Sequence, residues 1–401
     1  MTVNSKAESE VVVQVAVQKS SSVKHRNAKS LWLIAHRWVG IIAGLPIALI
    51  GFSGSLILLA PFLLALQHGD ILERGDTPKT NPPVSSSAWV AAVRAANTDK
   101  LEIIAVSAPN SSPIAAETAL VIGHTHEGPD GDNHRVFSVN PDTGRLQGYY
   151  DFETAYAYIP VAIHTSLMIP MIGLDIVAVI GVILLFSSIT GIYLWWPRAK
   201  TWKAAFRFKN SARGLARWFS LHNFIGLYSA VAIFILSATG VWILKPDWVE
   251  PAFNVATPLR GAPPVSMIAQ QGSCMTPTTA ESALDLAVAR FPKSTLAYLV
   301  SPEEDRKFFE INLSTADNWN VRDGDTTVYV DPNCARIVDT ISSDSLSVGE
   351  AAKRATVPMH NGLMFGTIGQ VLVFVAGLAL PVLYISGLII WWRRRKKGRA
   401  S

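Results

Sequence analysis

Charge is scarce in this chain, and so is cysteine. Of 401 residues, 16% are Asp, Glu, Lys or Arg and only two are Cys. With 49% apolar residues and a mean hydropathy of +0.28, the composition is too apolar for an ordinary soluble protein. Two cysteines, Cys274 and Cys334, are too few for an iron–sulfur cluster or a Cys-rich zinc site. No C-x-x-C or C-x-x-C-H motif exists for thiol redox chemistry or covalent haem attachment. G-x-G-x-x-G, the P-loop, G-x-S-x-G and H-E-x-x-H are missing as well, so direct use of NADH or flavin has no support. The net charge of +5 is no nucleic-acid footprint, because it follows from where the basic residues fall.

What is present is long charge-free stretches. Val39–Leu66, Ile176–Pro197, Leu221–Leu244 and Ala355–Trp392 carry no Asp, Glu, Lys or Arg. A bilayer core needs about 20 apolar residues of helix, so each can span. A mainly α membrane protein with four transmembrane helices is expected. Basic residues crowd the segment Arg198–Arg217 and the tail after Trp392 and flank the first span, whereas the two long inserts are acidic on balance. By the positive-inside rule both termini and the middle loop are cytoplasmic and the inserts lie outside.

The expected order follows from these boundaries. A polar terminus over residues 1–30, read as disordered, precedes a first span over 31–66 and an outside insert over 67–163. An outer-edge histidine segment and second span (164–197), a basic loop (198–217) and a third span (218–245) come next. A second insert (246–356), the last histidine segment and span (357–392) and a basic tail (393–401) complete the chain.

This order is one unit used twice. IHTSLMIPMIG from Ile163 and MHNGLMFGTIG from Met359 stand in register: His164 and His360 each lie 27 residues before a glycine (Gly191, Gly387) and 31 before a Trp-Trp pair (Trp195, Trp391). HRWVGIIAG from His36 matches HNFIGLYSA from His222, each histidine followed by glycines 4 and 18 residues on. The inserts repeat too, each reading as a helix followed by short strands. Asn140-Pro141-Asp142-Thr143-Gly144-Arg145 aligns with Asp331-Pro332-Asn333-Cys334-Ala335-Arg336 as a hairpin turn. Two span–insert–span repeats with two small α+β domains outside the membrane are expected, a symmetry often associated with a site at the repeat interface.

The histidines are the candidate site. His36 and His222 fall at the cytoplasmic edge, His164 and His360 at the outer edge. Ionisable residues at such depth are functional candidates, since burying them is costly. Two depth-matched pairs suit axial ligation of two haem irons, an imidazole from each of two helices, and without an attachment motif each haem would be b-type. On a straight helix Gly40, Gly44, Gly51 and Gly54 share the face of His36, and such a stripe admits either a neighbouring helix or a flat porphyrin. Met168, Met171, Met359 and Met364 are alternative ligands or packing residues. A helix from His164 to Trp195 would run about 46 Å, so either it projects outward or it breaks near Pro170; at the last span, with no proline before Pro381, a projecting helix is expected. The loop Gly123–His134, with three histidines and three acids, reads as a weak metal site or an ordinary hairpin tip. Cys274 and Cys334, both in the second insert, are candidates for a disulfide, which an oxidising compartment would permit.

The motifs IHTSLMIPMIG…ITGIYLWWPR, MHNGLMFGTIGQ…SGLIIWWRRR and HRWVGIIAG resemble the PepSY-associated transmembrane helix family from about Leu31 to Lys397. Ser53-Gly54 and Ser386-Gly387 stand where the family has Thr-Gly. The resemblance implies four spans, PepSY-like periplasmic domains, a bacterial inner-membrane location and kinship with di-haem b ferric-siderophore reductases. It implies haem b ligated by His36, His164, His222 and His360, and electron delivery to a ferric siderophore from a cytoplasmic or quinol donor. A membrane-anchored PepSY regulatory or binding module and a general b-type cytochrome are the other functions open. Membrane lipid is an expected partner and nucleic acid is not.

Overall fold

A computed structural model describes residues 29–75, 84–96, 101–111, 116–125, 133–197, 201–209, 211–270, 273–274, 276–303, 306–315 and 322–397. Residues 1–28 of the expected disordered terminus fall outside these. The helices are α1 (Lys29–Ile42), α2 (Gly44–Ile57), α3 (Ala60–Leu72), α4 (Ser86–Ala96), α5 (Tyr158–Ser166), α6 (Gly173–Trp195), α7 (Trp202–Ala205), α8 (Leu215–Leu244), α9 (Pro246–Ala256), α10 (Ala280–Arg290), α11 (Val348–Asn361) and α12 (Gly366–Lys397). The strands are β1 (Glu102–Ser107), β2 (Ala119–Thr125), β3 (Asn133–Val139), β4 (Leu146–Asp151), β5 (Thr295–Val300), β6 (Phe309–Ser314), β7 (Thr326–Val330) and β8 (Ile337–Ile341). They form two compact units. One gathers the chain up to Ser55, His164–Leu244 and Leu372 onward; the other holds Leu56–Ile163 and Lys245–Val371.

The first unit is a helical bundle. Three helices are long and apolar enough to cross a membrane, and the pair α1–α2, bent by 64°, makes up to a fourth span. Pro46, in the first turn of α2, has no N–H to return to the Ile42 carbonyl, which accounts for the bend. The helix expected over 31–66 is therefore broken at residue 43 and again between Ile57 and Ala60, where Pro61 opens α3. Ala43, Ile47, Ile180, Ile233 and Leu380 form the bundle's core. In lipid such packing, rather than escape from water, holds helices together, so small residues matter. A Cβ at Gly51 would stand 2.5 Å from Leu380 Cδ1 and 2.9 Å from the Gly377 carbonyl, and Ser55 Oγ donates to the Phe374 carbonyl at 2.8 Å. Backbones of α2 and α12 touch here because neither glycine carries a side chain.

The second unit corrects the expectation of two separate α+β domains. All eight strands form one antiparallel sheet in the order β4-β3-β2-β1-β5-β6-β7-β8. Four strands come from each insert, joined where Val106 of β1 faces Leu299 of β5. Alone, each four-stranded half would leave this edge as a row of unpaired N–H and C=O groups. Pairing the two edges satisfies them and merges the cores. Trp89, Val90 and Val93 of α4 and Ala283, Leu284 and Ala287 of α10 pack in one cluster with Val106, Val121, Leu299 and Ile311. Alternation is clean on β2: Ala119 and Val121 enter this cluster, whereas Leu120, with Ile122 at its edge, faces Leu64 and Leu72 of α3.

The aligned turns are alike in detail. The Asn140 N–H donates to the Arg145 carbonyl at 2.9 Å and the Asp331 N–H to that of Arg336 at 3.0 Å. Burial raises the Asp331 carboxyl, but donors from Ala269, Asn333 and Arg336 outweigh it and hold it below the usual range. Cys334, in the same turn, is bonded to Cys274 with 5.5 Å between their α-carbons. At the start of α11, Ser347 and Glu350 form a reciprocal capping box, and Glu350 also accepts from Arg260 Nε at 2.6 Å.

Candidate functional site

His36 on α1 and His222 on α8 meet inside the bundle. Their ring centroids are 6.4 Å apart and their planes cross at 84°. Each ring is tied to a neighbouring helix by the same device. His36 Nδ1 lies 3.0 Å from Thr190 Oγ1 on α6, and His222 Nδ1 lies 2.9 Å from Ser386 Oγ on α12. Both hydroxyl hydrogens are engaged elsewhere, Thr190 donating to the Ser187 carbonyl at 3.0 Å and Ser386 to that of Leu383 at 3.1 Å. Each hydroxyl oxygen is thus placed to accept from an imidazole protonated on Nδ1, the tautomer that leaves the Nε2 lone pair for a metal.

Glycine makes room beside each ring. A Cβ at Gly191 would come within 3.3 Å of His36 Cε1, and one at Gly387 within 3.5 Å of His222 Cε1. The glycines 27 residues after His164 and His360 thus serve the other two histidines.

His164 sits in the last turn of α5. Its Nδ1 is 2.8 Å from the Ile50 carbonyl of α2. A carbonyl can only accept, so this ring too is protonated on Nδ1. Gly54 admits it: a Cβ there would lie 2.7 Å from His164 Cε1. The small-residue stripe of the first span is therefore divided among several occupants. Gly44 lies against Tyr384 and Gly51 against Leu380, Gly54 faces His164, and Gly40 has nothing within 4 Å. The 64° bend also means that these positions do not form one straight face.

His164 is separated from its span by a tight break. Leu167, Met168 and Met171 have φ of 52°, 57° and 61° around Pro170, and Gly173 packs on the Ser166 carbonyl where no side chain would fit. Of the two courses open at Pro170, the separate turn is the one taken. Met171 is 96% exposed. The continuous projecting helix expected at the last span is not found. His360 lies in the last turn of α11, Gly362 (φ 82°) caps it in the left-handed region, and α12 begins at Gly366 (φ 58°). Glycine achieves here what proline does in the first repeat. His360 belongs to the sheet unit and His164 to the bundle, so each is described within its own unit.

In the loop 123–134, residues 126–132 lie outside the described residues. At its base His124 and His134 face each other across β2 and β3 with centroids 4.6 Å apart, and His134 Nδ1 meets Glu153 Oε1 at 2.7 Å. Among the described residues no three His, Cys, Asp or Glu side chains are grouped to hold a metal ion.

Thr190 and Ser386 were not among the candidates from sequence. A signal for them exists: every span has a hydroxyl residue immediately before a glycine (Ser53-Gly54, Thr190-Gly191, Thr239-Gly240, Ser386-Gly387). Ser53 and Thr239 donate back to carbonyls of their own helices.

The donor set fits a haem. Two imidazoles on opposite sides of one iron, each nitrogen about 2 Å from the metal, place their centroids about 6 Å apart. The pair stands at that spacing, with each Nδ1 beside a hydroxyl oxygen. The mainly α bundle of apolar helices, with its antiparallel sheet unit, defines a multi-pass membrane protein. A family model for the PepSY-associated TM region matches residues 33–394, and the chain belongs to that family. A comparison with curated protein sequences gives no match.

Proposed function

We propose that this chain is a b-type haem protein that carries electrons across the bacterial inner membrane and reduces Fe(III) held by a siderophore on the periplasmic side. The observation that carries the reading is the crossed pair of His36 and His222, 6.4 Å apart, each with its Nδ1 on a hydroxyl oxygen. A haem b bound there supplies reversible one-electron chemistry. The protein's residues do the rest. His36 and His222 would hold the haem through their imidazole nitrogens, Thr190 and Ser386 would orient those rings, and the apolar helices would exclude water. His164, whose Nδ1 donates to the Ile50 carbonyl, is the candidate ligand of a second site. The basic loop 198–217 and the tail 393–401 lie in the cytoplasm, so the His36–His222 pair takes electrons from a cytoplasmic or quinol donor. The sheet unit stands in the periplasm. One electron converts siderophore-bound Fe(III) to Fe(II), which siderophores hold far less tightly, and the metal is released.

The test is optical. Purified from cells with adequate haem, the protein should show a Soret band that shifts on reduction. Ferric siderophore should then reoxidise the reduced protein rapidly. A featureless visible spectrum overturns the redox reading and leaves a PepSY binding or regulatory module. A haem spectrum without reoxidation by ferric siderophore leaves a general b-type cytochrome.

A further inference from the structure

The two hydroxyl contacts do more than choose a tautomer. Rotation of an imidazole about its Cβ–Cγ bond is broad and only weakly restricted by the side chain itself. Its plane must be set by what the ring touches. For His36 that includes Thr190 Oγ1 at 3.0 Å, Ser187 through its Oγ at 3.5 Å and its backbone, and the bare backbone of Gly191 beside Cε1. For His222 it includes Ser386 Oγ at 2.9 Å, the backbone of Leu383 and the bare backbone of Gly387. The same pair of residues, hydroxyl then glycine, grips each ring from a different helix, and the two grips leave the planes crossed at 84°.

Resting on the haem reading above, we propose that Thr190 and Ser386 are positioning residues that hold the axial imidazole planes of His36 and His222 perpendicular. That orientation has an electronic consequence. Each imidazole mixes its π system with the iron d orbital that lies across its own plane. Perpendicular planes engage two different d orbitals and keep them close in energy; parallel planes engage one and split the pair. A ferric low-spin centre with crossed ligands therefore gives a strongly anisotropic electron paramagnetic resonance signal dominated by one low-field feature. A parallel arrangement gives an ordinary rhombic three-line signal.

The experiment is electron paramagnetic resonance on the full-length oxidised protein, with this centre assigned as the low-spin signal absent from His36→Ala. The wild type should give the single low-field feature. Thr190→Val keeps shape but removes the acceptor, and should convert it to a rhombic signal while leaving the Soret band in place. Thr190→Ser, which restores the oxygen, should keep the wild-type signal. Ser386→Ala is the second variant, read in the same way, should Thr190→Val not accumulate. A rhombic signal in the wild type, or a low-field feature unchanged in both Thr190→Val and Ser386→Ala, overturns the proposal while the haem reading stands. Absence of any haem spectrum in the wild type removes both.

Discussion

The same duplication is built in two ways in the two units. In the sheet the repeats fuse: β1 of one insert pairs with β5 of the other, and the joint is made of backbone hydrogen bonds and a shared core. In the bundle the repeats meet through side chains, a histidine from each facing the other at 6.4 Å. Backbone pairing is indifferent to residue type provided the flanking core is apolar. The histidine pair depends on four named polar atoms and two glycines. The sheet should therefore fail only when its core is broken, whereas the bundle should lose its chemistry through changes that leave it folded.

The largest effect is expected at the sheet's seam. Val106 is fully buried, and Val106→Asp would put an unpaired charge into the merged core, costing on the order of 4 kcal/mol or more. Limited proteolysis should then cut both inserts together. Cleavage confined to residues of the first insert would mean the halves are independent. Next comes helix contact in the bundle. Gly51→Leu drives a side chain into Leu380 and the Gly377 carbonyl and should cost about 3 kcal/mol, read as a lower thermal midpoint in detergent.

A smaller effect belongs to Glu350. The Arg260 guanidinium bonds it, against burial, and its carboxyl is pushed down to about 2 from 4.5. A depressed carboxylate contributes stability that is complete above the ordinary value and lost as pH falls through the depressed one. Sheet-unit stability should thus decline between pH 4.5 and about 2, and Glu350→Gln should remove that component at a cost of about 2 kcal/mol. A variant whose acid unfolding matches the wild type would contradict the ion pair's role. The smallest is Gly54→Ala, whose methyl meets His164 Cε1 at 2.7 Å. It should cost about 1 kcal/mol and disturb haem signals from the His164 site, with those of the His36–His222 site unchanged.

Much of this was legible in the sequence because it is local or periodic. The spans follow from charge-free runs, and the matched turns at Asn140 and Asp331 from their Pro, Asn and Asp. The 64° bend was signalled by Pro46 but hidden inside an otherwise unbroken apolar run. Gly362 and Gly366 fall in a charge-free run that reads as helix, since a glycine's left-handed backbone leaves no mark in hydropathy. The fused sheet was illegible, because edge pairing between β1 and β5 is set by backbone groups that every residue carries. Of the site, the histidines stood out through their repeat. Thr190 and Ser386 did not, being 154 and 164 residues from the rings they hold.

The central claim is that His36 and His222 share one iron, with a second centre at His164. Haem b content per chain, measured as the pyridine haemochrome, tests it most directly. The account predicts two haems in the wild type and one in His222→Ala. No haem in the wild type, or two retained in His222→Ala, would contradict it.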